Sequence, residues 1–203
     1  MRSIDDLVQF VAPEVPGATT NEVKFKLREA LRSFCIETEA WRQKIVIDQV
    51  EDQTEYDVIP EGDATISRII HVKIKQKDAD TFEKLSFAYQ ASYEINSDGL
   101  GITFYTKNAP KYDITDGIEV EIALLPTIYA DNVTDDLIDR YAEGIFSYAK
   151  YLLMMMPGKM FYKPELASHW AARYRGVKST AIREKFVKHK DSILMVSQRG
   201  GIL

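Results

Sequence analysis

The hydrophobic period of the chain changes twice, and these changes constrain the fold more than any other feature. Apolar residues recur at helical spacing in residues 1–42 and 127–190, whereas apolar and polar residues alternate in residues 43–126. The order of helices, strands and helices predicts an α+β fold. We expect a helical body built from both ends of the chain, an inserted β subdomain over 43–126, and an extended C-terminal arm over 191–203.

Sequence signals mark where the helices begin. A short first helix ends at about Val11, and Thr19 with Glu22 forms a capping box ahead of the second helix. Thr134 caps a third helix, and Pro164 begins a fourth, because proline is tolerated in a first turn. The apolar stripe predicted for the second helix consists of Val23, Leu27, Ala30, Leu31, Phe34, Cys35, Thr38 and Trp41.

The middle of the chain has the features of a small antiparallel sheet. Turn residues cluster at 61–63, 96–99 and 115–117, and residues 118–124 alternate between apolar and polar. Residues 82–93 fit either a strand or a short helix.

Composition favours a folded, soluble protein of the cytoplasm. The 203 residues are 45% hydrophobic and 28% charged, close to globular averages. No run approaches the roughly 20 apolar residues of a membrane helix, and the N-terminus lacks an export signal, so we expect no membrane partner. The only cysteine, Cys35, lies in an apolar stripe, which favours a core role over a nucleophilic one.

The sequence offers no convincing catalytic, cofactor or metal site, so we predict a protein that is not an enzyme. His71, His169 and His189 lack the spacing of a shared metal site. Acidic residues near 135–143 suit a helix start better than a cation site, and Gly99-Leu100-Gly101 lacks the rest of a phosphate loop. The run Met154-Met155-Met156 fits either a core or an adaptable partner surface.

Charge is distributed unevenly along the chain. From Lys150 onward, eleven Lys or Arg residues face three acids, giving a net charge of +8 and leaving −13 on the rest of a chain whose total is −5. Such asymmetry suits ordered contacts between copies, or an acidic partner or nucleic acid bound at the basic end. A merely solvated helix face is the simpler alternative.

We expect the fourth helix to end near Lys188 and the arm that follows to bind a partner. The arm carries apolar residues that a helix end would leave exposed, and Gly200-Gly201 favours flexibility. The alternative is that this tail packs on its own subunit. The predicted partner-binding residues are Arg183, Lys185, Lys188, Lys190, Ile193, Leu194, Met195, Val196, Arg199, Ile202 and Leu203.

Two stretches resemble the head-to-tail adaptor proteins of tailed bacteriophages, also called connector or neck proteins. The first runs from Ile4-Asp5-Asp6-Leu7-Val8 to Pro13 and continues with the helix from Leu27 to Thr38 and Trp41. The second begins with Leu125-Pro126-Thr127 and Asp136–Tyr141 to Gly144. It continues through Leu152–Pro157 and Lys163–Ala167 to Tyr174. The resemblance is distributed over about two thirds of the chain and has no invariant signature.

The resemblance implies a structural virion protein that is made in the host cytoplasm and resides in the neck between capsid and tail. It implies a homo-oligomeric ring, commonly a dodecamer, with the arm reaching into the portal protein and a tail or nozzle protein bound on the far side. DNA would pass through the channel without specific binding, and no cofactor is implied. A DNA-binding or packaging-associated phage protein that uses the basic C-terminal helix is the alternative.

Overall fold

The structure is a computed structural model that describes residues 1–75, 82–84, 93–96, 100–105 and 109–197, with only the backbone described for 82–84 and 186–197. Its elements, in chain order, are β1 (Arg2–Ser3), α1 (Ile4–Val8), a 3-10 helix (Ala12–Glu14), α2 (Thr20–Thr38), β2 (Arg42–Gln49), β3 (Glu55–Asp57), β4 (Ala64–Lys75), β5 (Phe82–Lys84), β6 (Tyr93–Ile95), β7 (Gly101–Phe104), β8 (Ile114–Pro126), β9 (Asn132–Val133), α3 (Asp135–Met154) and α4 (Pro164–Ser197). The predicted α+β class is confirmed.

The chain divides into two units. A helical unit combines Met1–Ala40 with Ile128–Leu203, and a β unit comprises Trp41–Thr127. The sequence analysis placed the β subdomain at residues 43–126. No helix in the described part of the chain is long and apolar enough to cross a membrane.

Aromatic packing between α2, α3 and α4 forms the centre of the helical unit. The ring of Phe34 on α2 lies 5.2 Å from that of Tyr141 on α3 and 6.3 Å from that of Tyr174 on α4. Tyr148 of α3 stacks on Tyr174 with ring centres 4.3 Å apart. Cys35 is buried beside Phe34 on the same helix, so its side chain is part of the apolar core.

Strand β8 is the central strand of the larger sheet in the β unit. It pairs antiparallel with β2 on one side and with β4 on the other, and β4 pairs in turn with β5. Alternate residues of β8 point to one buried face. These residues are Ile118, Val120, Ile122 and Leu124. A second antiparallel sheet has the order β3-β7-β6.

Three predictions about helix ends need correction. α1 ends at Val8, after which a turn and the 3-10 helix follow. α2 ends at Thr38 because Glu39 adopts a left-handed conformation with φ of 51°. Trp41 therefore does not belong to the helical stripe; it is buried in the β unit, where its carbonyl accepts a hydrogen bond of 2.9 Å from Leu124 N–H.

The third correction concerns the predicted extended arm over 191–203. α4 continues past the expected end at Lys188 and reaches Ser197, so residues 191–197 are helical. No strong helix breaker occurs between Lys188 and Ser197, whereas Gly200-Gly201 follows. Residues 198–203 lie outside the described part of the chain.

The capping signals have mixed outcomes. Thr19 and Glu22 form the predicted capping box on α2, with both reciprocal hydrogen bonds present. Thr134 occupies the N-cap position of α3, but its side chain makes no capping hydrogen bond. Instead Asp135, in the first turn, contacts the N-terminal amine of Met1 at 2.7 Å. A negative charge at this position also suits the helix dipole.

A matched pair of helix glycines tests how closely α3 and α4 pack. A Cβ on Gly144 of α3 would lie 2.7 Å from Val177 of α4, whereas a Cβ on Gly176 would meet nothing within 4 Å. Gly144→Ala should lower the free energy of unfolding by about 1 to 3 kcal/mol through overpacking. Gly176→Ala should raise it by roughly 0.5 to 1 kcal/mol, because alanine is the better helix former.

Urea denaturation of the two variants and the unsubstituted protein measures both effects. Equal stability changes for the two alanines would contradict the close contact at Gly144.

Candidate protein interaction surfaces

The residues predicted to bind a partner fall into three groups. Arg183 is exposed on α4, and Lys185 is half-buried, with its amine 2.7 Å from the carboxylate of Glu39. Arg199, Ile202 and Leu203 lie outside the described residues. The remaining residues belong to the part of α4 for which only the backbone is described, and they are Lys188, Lys190, Ile193, Leu194, Met195 and Val196.

Ion pairs within the chain involve most of the basic residues after residue 149 whose side chains the structure describes. Of the eight whose side chains are described, five pair with acids that precede residue 150. The other three, Lys163, Arg175 and Arg183, are exposed. The five pairs are Lys150–Glu14, Lys159–Glu22, Arg173–Glu143, Lys178–Glu37 and Lys185–Glu39.

These ion pairs weaken the argument that the charge asymmetry serves an acidic partner or nucleic acid. The basic side of α4 and the segment before it face acids of the same helical unit, so much of the positive charge is neutralised locally. A phosphate backbone would have to compete with these carboxylates for the same cations.

Lys150 is the most buried of these cations. Its amine lies 4.3 Å from the centre of the Trp170 ring and 4.0 Å from a carboxylate oxygen of Glu14. Burial lowers the pKa of Lys150, partly opposed by the charge of Glu14. Because the amine contacts an aromatic face and an acid, it contributes to packing between α3, α4 and the 3-10 helix.

We call the connection between α3 and α4 the corner; it covers residues 155–166 and includes the first turn of α4. Contacts with the rest of the helical unit fix the backbone of the corner. Phe161 is buried, and the backbone N–H of Lys163 donates to the carbonyl of Met154 at 2.9 Å. The amine of Lys159 lies 2.7 Å from a carboxylate oxygen of Glu22, which joins the corner to the capping box of α2.

The corner exposes four large apolar side chains despite this anchoring. The exposed fractions are 41% for Met155, 90% for Met160, 44% for Tyr162 and 40% for Leu166. Exposed apolar side chains that cluster in one segment are typical of interaction sites. The corner is therefore a candidate interaction surface of the helical unit.

Sequence reasoning identified only part of the corner. It flagged the methionine run as either core or surface, and the structure divides that run, with Met154 buried and Met155 exposed. Met160 and Tyr162 were missed because a loop has no hydrophobic period. Their position among Pro157, Gly158 and Pro164 was the available signal, since apolar residues in a loop lack an obvious core partner.

A row of paired charges crosses the larger sheet of the β unit. His71 Nδ1 on β4 lies 3.3 Å from a carboxylate oxygen of Glu121 on β8, and Arg42 on β2 approaches Glu121 from the opposite side at 3.5 Å. Glu119 pairs with Lys73, and the hydrogen bond from Lys73 lowers the pKa of Glu119. These are cross-strand pairs of a kind that stabilises sheets.

The histidines have no metal-site arrangement in the described residues. His71 lies among the paired charges of the sheet, and His169 is exposed with its ring against Trp170. For His189 only the helical backbone is described. No group of three or more His, Cys, Asp or Glu side chains able to hold a metal occurs within the described ranges.

Comparison with protein-family models and with curated proteins found no match to this chain.

The contact between Glu22 and Lys159 predicts a specific pH dependence. Hydrogen bonds from the amine of Lys159, and from the backbone N–H and hydroxyl of Thr19, lower the pKa of Glu22 from 4.5 to about 2. A carboxylate whose pKa is lower in the folded state stabilises the fold above its unfolded pKa, and that contribution disappears as the pH falls toward the folded pKa. Glu22→Gln should therefore destabilise the protein at pH 7 but progressively less between about pH 5 and pH 2.

Urea denaturation at a series of pH values compares this variant with the unsubstituted protein. Glu61→Gln is the control, because Glu61 is exposed and its carboxylate makes no ion pair in the described part of the chain. A difference between Glu22→Gln and the unsubstituted protein that stays constant from pH 7 to pH 2 would refute this account.

Proposed function

We propose that this chain is an adaptor subunit of a ring that joins the capsid portal to the tail of a tailed bacteriophage. One observation carries the proposal: most residues behind the resemblance to phage adaptors belong to one helical unit, although the β unit separates them in sequence. Arg28 of α2 donates a 2.8 Å hydrogen bond to the carbonyl of Ala130 and contacts Asp131. The resemblance therefore follows a structural unit rather than scattered segments.

The proposed partners are further copies of the chain, the portal protein, and a tail or nozzle protein. Twelve copies is the number that the resemblance favours. DNA passes through the channel without specific binding, and the virion neck is the proposed location. The chemistry proposed for the chain is binding alone, with no cofactor.

Exposed side chains of the helical unit support a role in protein contacts. The corner exposes two methionines, a tyrosine and a leucine, and methionine adapts well to partner surfaces of different shape. The ion pairs of α4 favour this function over the alternative of a DNA-binding or packaging protein that uses its basic C-terminal helix. Among the eight described basic residues from Lys150 onward, only Lys163, Arg175 and Arg183 form no ion pair within the described part of the chain.

Mixing the purified chain with the portal ring of the same phage tests the proposal. Native mass spectrometry should detect a joint particle that contains one portal ring and a closed ring of this chain. Removing residues 191–203, the proposed docking segment, should abolish the joint particle.

A second truncation, after residue 197, keeps all of α4 but removes Arg199, Ile202 and Leu203, so it shows which part of the docking segment the joint particle requires. Circular dichroism establishes whether each truncated chain remains folded. Retention on duplex DNA that weakens steeply with salt, together with failure to join the portal, would favour the DNA-binding alternative.

A further inference from the structure

The corner has the composition of a surface that contacts another copy of itself. Its four exposed apolar side chains accompany two exposed cations, Lys159 and Lys163, and one exposed anion, Glu165. Lys159 pairs with Glu22, so Lys163 and Glu165 are the charges of the corner that have no such partner in the described part of the chain. The surface therefore has no net charge from these two residues. A strongly acidic or basic partner would find no complementary field there.

Neither of these two charges has an ion-pair partner within the described ranges of the chain. Lys163 immediately precedes α4, and Glu165 lies in its first turn, where the helix dipole favours a negative charge. Five other cations from Lys150 onward do pair with acids of their own chain. Lys163 is thus one of three described cations from Lys150 onward, with Arg175 and Arg183, that form no such pair, and it is the one that lies in the corner.

We propose that two copies of this chain associate through their corners about a twofold axis. In such an isologous contact the same surface occurs on both sides, so residue i of one copy meets residue j of the other, and the reverse contact also forms. Lys163 of each copy then meets Glu165 of the other. The side chains of Met160, Tyr162 and Leu166 are buried between the copies, and the two ion pairs flank them.

The rigid corner makes such a contact less costly. Buried Phe161 and the contact between Lys159 and Glu22 fix the backbone before association. Little chain entropy is then lost on binding. Three apolar side chains per copy make a small interface, so the association is weak and depends on protein concentration.

This contact is separate from the proposed adaptor ring and does not depend on it. A twofold contact joins identical surfaces and closes after two copies, whereas a ring of twelve requires contacts between two different surfaces. The proposed twofold contact forms between free copies of the chain, whether or not the chain also binds a portal.

Charge reversal distinguishes this geometry from other modes of association. Lys163→Glu places two glutamates opposite each other at both ends of the contact, and Glu165→Lys does the same with lysines. Each single variant should weaken association at least about tenfold. An equimolar mixture of the two variants restores both ion pairs and should associate within about threefold of the unsubstituted protein.

Sedimentation equilibrium from about 1 µM to about 1 mM protein measures these constants. Met160→Asp should also weaken association. Ile59→Asp is its control, because Ile59 is 70% exposed and lies in the β unit. Thermal melting verifies that each variant is folded.

An unsubstituted chain that stays monomeric throughout this range would overturn the proposal. So would association that the reversals leave unchanged, or a mixture that associates no better than the single variants. None of these results would bear on portal binding, which the mixing experiment with the portal ring tests separately.

Discussion

The close approach of α4 to α3 at Gly144 is the constraint on which the helical unit depends. Val177 occupies the space that any larger residue at position 144 would fill. This approach allows Tyr148 and Tyr174 to stack and Phe34 to contact both helices. Because the cores of proteins are close-packed, a shift at this crossing would disturb the aromatic centre and the ion pairs around it.

The packing of α4 against α2 and α3 also determines which charged side chains remain available to a partner. Along the sequence the basic end and the acidic remainder look like two complementary surfaces. In the folded unit, Arg173 of α4 contacts Glu143 of α3, and Lys178 contacts Glu37 of α2. Much of the asymmetry is therefore satisfied inside one chain. The remaining exposed charges, such as Arg183 and Lys163, are better guides to partners than the net charge.

The local parts of the fold could be predicted from the sequence because they depend on short-range patterns. The capping box at Thr19 and the helical stripe around Phe34 are of this kind. The end of α2 could not be predicted, because Trp41 continues the helical spacing by chance after Glu39 has turned the backbone. Strand pairing could not be predicted either, because β8 pairs with two distant strands and no local signal specifies its neighbours.

The candidate site was predicted less well than the fold, for a physical reason. Helical periodicity predicts which residues are buried within one chain, but an interface is made of apolar residues that break the pattern. Met160 and Tyr162 are of this kind, because both lie in a loop and both are exposed. The predicted docking residues beyond Lys185 fall in the part of the chain whose side chains are not described.

The central claim is that this chain connects a phage capsid to its tail. Electron microscopy of particles made by a phage that carries a stop codon early in the corresponding gene tests this claim most directly. The account predicts heads with portals but without tails, and normal tailed particles when the intact chain is supplied from a plasmid. Normal tailed particles in the absence of the chain would contradict it.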